Sequence, residues 1–104
     1  MKLTIKERFQ LCEILPRTFS LEEYATKKSI LAKVRFTEKE KEDLGIVLSH
    51  LSGITWSSDH ADDVFDIDLT SGEEDFLTAS AGELDKNKQI TDFTIDICQR
   101  LLQK

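Results

Sequence analysis

The sequence predicts an α+β fold in a single small domain spanning residues 1–104: three N-terminal helices, a three-stranded antiparallel meander and two C-terminal helices. Three observations lead to this. Helix-opening boxes recur at Thr4/Glu7, Ser20/Glu23 and Thr37/Glu40, each placing a hydroxyl and a carboxylate where the free N–H groups of a first helical turn need acceptors. Two short apolar runs flank Ser52-Gly53, the usual signal of a tight hairpin. Val64-Phe65-Asp66-Ile67-Asp68-Leu69 alternates apolar and acidic residues, as a half-buried strand does.

Taken in order, the first helix opens at Thr4 and carries Ile5, Phe9 and Cys12 at helical spacing, with Leu11 and Leu15 beside them. Pro16 ends it, because the residue before a proline is driven out of helical angles. The second opens at Ser20, with Phe19 and Tyr24 placed as a hydrophobic staple. Leu21, Tyr24, Ala25, Leu31 and Val34 are predicted to line its buried face, leaving Lys27, Lys28 and Lys33 on the wet side. A short charged helix follows from Thr37 to Leu44, with Gly45 as a left-handed cap.

In the hairpin, a turn at Ser52-Gly53 would set Leu51 opposite Ile54 and Ser49 opposite Trp56. Val47, Leu51, Ile54 and Trp56 then share one face, and Trp56, the only tryptophan, is the expected core anchor. His50, Thr55 and Ser57 fall on the other face. Residues 57–63 are polar and read as an exposed loop. After the third strand, Thr70 or Ser71 caps a fourth helix with Glu73, Glu74 and Asp75 in its first turn, favourably placed on the helix dipole. Phe76, Leu77, Ser80 and Leu84 form its apolar seam, the small Ala79, Ala81 and Gly82 admit a close neighbour, and Lys86 and Lys88 close its last turn. Thr91 opens the last helix, which carries Phe93, Ile97, Cys98, Leu101 and Leu102.

At 104 residues and 39% hydrophobic, the chain is sized for one core. Its net charge of −6 argues against nucleic acid or an anionic membrane as a general partner. No stretch approaches the roughly 18 apolar residues of a membrane span, and the charged opening residues lack the apolar run of a secretion signal. The cytoplasm is the expected compartment. Cys12 and Cys98 are too few for a disulfide framework, and together with His50 and His60 they lack the close paired spacing of zinc sites.

Val64 to Thr70 fits the opening motif of haloacid-dehalogenase-like phosphatases, in which two aspartates, here Asp66 and Asp68, would be acceptor and acid/base beside Mg²⁺. That chemistry needs a doubly wound scaffold after the motif, and the 34 residues that follow Thr70 are too few for one. A calcium loop over the same residues fails where glycine and the closing glutamate should stand, at Ser71 and Leu77. No Gly-rich phosphate loop or nucleophile elbow occurs. The expectation is a non-enzymatic protein with no catalytic residue, no metal site and no cofactor.

Charge asymmetry is more informative. Residues 1–41 carry ten Lys and Arg against six acids, and residues 42–104 carry four against fourteen. The acidic half offers a candidate binding face in Asp62, Asp63, Asp66, Asp68, Glu73 and Glu74, whose charge would orient a partner protein. Three helices followed by a hairpin is also the order of a winged helix, which makes a nucleic-acid-binding regulator of winged-helix descent one alternative. Its reading helix, Glu38-Lys39-Glu40-Lys41-Glu42-Asp43, would however meet phosphates with net negative charge. An acidic inhibitor that mimics DNA is another alternative.

The opening Met1-Lys2-Leu3-Thr4-x-Lys6-Glu7-Arg8 through Ile14-Leu15-Pro16, the Arg35-Phe36-Thr37-Glu38-Lys39-Glu40 segment, Gly53-Ile54-Thr55-Trp56, and Leu84-Asp85 followed by Ile90-Thr91 together resemble a group of small proteins encoded in tailed-phage and prophage genomes. The resemblance implies no activity and no site residues. It implies expression in a bacterial host, and the expectation for the chain is a phage-type accessory protein that acts through contact with a phage or host protein.

Overall fold

The computed structural model describes residues 1–49 and 53–103. Within them the order is β1 (Lys2–Leu3), α1 (Ile5–Ile14), α2 (Leu21–Val34), α3 (Glu38–Leu44), β2 (Val47–Ser49), β3 (Gly53–Thr55), a 3-10 turn at Ser58–His60, β4 (Phe65–Asp66), α4 (Ser71–Lys86) and α5 (Ile95–Leu102). The α+β class holds. Each predicted box closes reciprocally at α1, α2 and α3, and a fourth closes at Thr70/Glu73 of α4. Leu15, before the proline, is extended with ψ 140°, and Gly45 caps α3 in the left-handed region at φ 67°.

The strands do not form a meander. They form two separate two-stranded antiparallel sheets, β1 with β4 and β2 with β3. Leu3 lies opposite Phe65 and Lys2 opposite Asp66, and the Ile67 N–H donates to the Met1 carbonyl at 2.9 Å. The alternation after Val64 is realised, with Phe65, Ile67 and Leu69 turned partly inward and Asp66 and Asp68 exposed. The pairing strand comes from the chain's start, where Leu3 is fully buried.

The hairpin register also differs from expectation. Val47 pairs with Thr55, Leu48 with Ile54 and Ser49 with Gly53; the predicted contact of Leu51 and the placement of His50 and Ser52 lie outside the described residues. Relative to a two-residue turn, the pairing is displaced by an odd number of positions, which exchanges the faces. Val47 therefore shares a face with Thr55 and no longer with Ile54, and Leu48 takes its place opposite Ile54. Gly53, at φ 74°, supplies the left-handed backbone needed at the start of β3.

Two apolar clusters hold the molecule. The larger joins Leu3, Leu11, Ile14, Ile30, Val34, Leu77, Ala81, Ile97, Cys98 and Leu101 across α1, α2, α4 and α5. The smaller is built on Ile5, Phe36, Leu44 and Ile46, with Phe9, Trp56 and Phe65 packed against it. Trp56 is half-buried, stacked on Phe9 with ring centroids 6.2 Å apart, and is a flank of this cluster instead of its centre.

On α2 the buried residues are Ile30 and Val34; of the predicted stripe Val34 is buried and Leu31 half-buried, and the rest faces outward. Leu21 is 93% exposed and Tyr24 44% exposed, and Ala25 is exposed as well. At the other end of the chain, α5 begins at Ile95, because Thr91 and Thr94 exchange backbone-to-hydroxyl bonds at 3.0 and 3.3 Å and close a turn before it. Phe93 stays outside the helix and partly exposed. Lys88 lies beyond α4, left-handed at φ 56°, and the Gln89 N–H returns to the Leu84 carbonyl at 2.8 Å.

Candidate functional site

The predicted acidic face divides into residues that are exposed and one that is not. Asp62, Asp63, Asp66 and Asp68 are exposed, and Glu74 is half-buried. An Asp63 carboxylate oxygen lies 2.7 Å from His60 Nδ1, and Asp66 lies 3.8 Å from the Met1 ammonium.

Glu73 must be removed from the predicted face, since it is only 5% exposed. As the third residue of α4 its carboxylate accepts from the Thr70 N–H at 2.8 Å, as the capping box requires. It also reaches across to α2, accepting from Ser29 Oγ at 2.7 Å and Lys33 Nζ at 2.5 Å. Burial pushes this carboxyl up, but the bonds from Lys33, Thr70 and Ser29 and the charge of Lys33 outweigh it and hold the pKa at about 2. Lys33, expected on the wet side, is thus a strut between helices.

Arg8, which the sequence marks only as a charge on α1, is buried. Its Nε donates to the Val34 carbonyl at 2.9 Å and its Nη2 to the Arg35 carbonyl at 3.1 Å, so it caps the C-terminus of α2 with positive charge. Its Nη1 donates to Glu40 Oε2 at 2.9 Å, and its guanidinium carbon lies 3.8 Å from the Phe36 ring centroid. The Arg8 hydrogen bond is the main reason the Glu40 carboxyl falls below its usual range. On Glu7, burial pushes upward, but the Thr4 cap and Arg100, bonded at 2.7 Å, hold the carboxyl below its usual range.

Burial raises both thiols, Cys12 and Cys98, above the ordinary cysteine range, so at neutral pH each is a protonated, poorly nucleophilic group. Among the described residues no three His, Cys, Asp or Glu side chains converge where an ion could be held. No helix among them is long and apolar enough to cross a membrane.

Two surfaces display apolar groups instead. On the β2–β3 hairpin, Val47 is 55%, Leu48 61% and Ile54 38% exposed, with Leu48 and Ile54 directly opposite one another. Along α2, the outward stripe that sequence reasoning assigned to the core borders a groove of about 690 Å³, floored by Leu31 and the buried Phe36. Phe19 and Tyr24 form one wall, their ring centroids 5.6 Å apart as the predicted staple requires. A second cleft of about 700 Å³, between the α1–α2 connection and α4, is lined by charges of both signs, including Glu13, Arg17, Glu23 and Glu83.

Comparison with known proteins identifies no matching family model, no similar curated protein and no similar solved structure.

Proposed function

We propose that this chain is a non-enzymatic binding protein whose partner is another protein. The observation that supports it most directly is the exposed Leu48–Ile54 cross-strand pair on a two-stranded ribbon, with Val47 exposed on the ribbon's other face. A two-stranded ribbon is marginal in water alone, and grouped apolar side chains at a surface mark contact sites more often than scattered ones do. The chemically capable groups point the same way: Glu73, Arg8, Glu40 and Glu7 are engaged in caps and interhelical bonds, and both thiols are held protonated. The exposed Asp62, Asp63, Asp66 and Asp68 would orient the partner electrostatically. An accessory role of the phage type, inside a bacterial host, belongs to the same reading and rests on the sequence resemblance.

A photo-crosslinking side chain at position 48 tests the proposal. In bacterial lysate it should yield one discrete adduct with a single protein, and Ile54→Asp should abolish that adduct. A diffuse ladder, or an adduct indifferent to Ile54→Asp, would count against it.

A further inference from the structure

α2 carries two apolar stripes and the fold covers only one. Ile30 and Val34 enter the larger core, whereas Tyr24 and Leu31, seven residues or about two turns apart, border the open groove above Phe36. The same groove is lined by Lys27, Lys28 and Arg35, and none of the residues lining it is acidic. Lys27 is partly committed, donating to the Pro16 carbonyl at 2.9 Å and lying 4.7 Å from the Phe19 ring centroid. Lys28 and Arg35 are exposed.

We propose that this groove docks an acidic peptide segment of a partner protein, one that inserts apolar side chains between Tyr24, Leu31 and Phe36 and places carboxylates against Lys28 and Arg35. This rests on the reading of the chain as a protein-binding module, and it adds a second face, separate from the hairpin, with the chemistry of the segment it takes.

Charge selects the occupant. A neutral apolar segment would fill the floor but leave the cations unmatched, and a basic one would be repelled by all three. The chain's net charge of −6 does not oppose an acidic ligand here. At physiological salt, charges act over about 8 Å, and the molecule measures 35 × 27 × 26 Å. Lys27, Lys28 and Arg35, which line the groove, therefore set its local charge.

Selection from a displayed library of random peptides, each about 16 residues long, tests this against the intact protein. Retained sequences should combine aromatic or Leu residues with Asp or Glu, bind more weakly as salt rises, and lose at least about tenfold in affinity to Lys28→Glu/Arg35→Glu. The milder Lys28→Gln/Arg35→Gln variant should give an intermediate loss, with both variants melting as the parent does. Retained peptides that are neutral or basic, or that bind the charge-reversed variant equally, would overturn the proposal. So would self-association in sedimentation that the charge reversal abolishes, because the occupant would then be a second copy. Peptides sensitive to Leu48→Asp but not to charge reversal would refute the groove and leave the protein-binding reading intact; retention of none would refute the groove proposal, while the crosslink at position 48 decides the protein-binding reading separately.

Discussion

Replacing Glu73 by Gln separates the charge of the α2–α4 strut from its shape. Glutamine keeps the N3 bond to the Thr70 N–H, since capping boxes accept Glu or Gln, and it keeps nearly the same volume. What it loses is the anion facing Lys33 and Ser29. A carboxyl at about 2 in the folded chain against 4.5 when unfolded is linked to about 3 kcal/mol of stability at neutral pH. Lys33 is 34% exposed, so screening reduces the expected loss to about 2 kcal/mol. Because the folded pKa is depressed, this stability is fully present above 4.5 and disappears as pH falls toward 2. Urea unfolding of both proteins at a series of pH values should therefore give a gap of about 2 kcal/mol at neutral pH that drops to less than half by about pH 3. A gap that does not change with pH, or one below about 0.5 kcal/mol at pH 7, would refute the reasoning.

Arg8→Met should destabilise by about 2 to 4 kcal/mol in urea titration, because it strips buried donors from the Val34 and Arg35 carbonyls while keeping the apolar stem. Glu40→Gln, at its one-third exposed partner, should cost under about 1 kcal/mol. Trp56→Ala should cost about 2 kcal/mol, less than a fully buried aromatic, because the indole only flanks the smaller cluster. Lys88→Gly should raise thermal stability by about 0.5 to 1 kcal/mol, since the position is left-handed and closes α4 as glycine usually does; a lower melting temperature would contradict that account.

The candidate surfaces were only partly legible in advance. The exposure of Asp62, Asp63, Asp66 and Asp68 follows from their loop and their alternation with Phe65, Ile67 and Leu69. Glu73 belongs to the same acidic run, yet its role as a buried acceptor depends on Ser29 and Lys33, more than forty and exactly forty positions away. The α2 groove was hidden for the converse reason: Leu21, Tyr24 and Leu31 have the spacing of a core stripe, and so do Ile30 and Val34. Spacing along one helix does not say which stripe meets the other helices.

The sequence by itself determined where the helices start and stop, because a hydroxyl at Thr4, Ser20, Thr37 or Thr70 meets its glutamate within three residues, and Pro16 and Gly45 act on the backbone beside them. Only the tertiary structure decided that β4 pairs with the chain's first residues, that the hairpin stands apart with Leu48 against Ile54, and that Arg8 and Glu73 are internal. Those outcomes depend on partners distant in sequence, where several arrangements satisfy the same local pattern and the choice falls to one that buries apolar surface while leaving the buried charges, Arg8 and Glu73, paired.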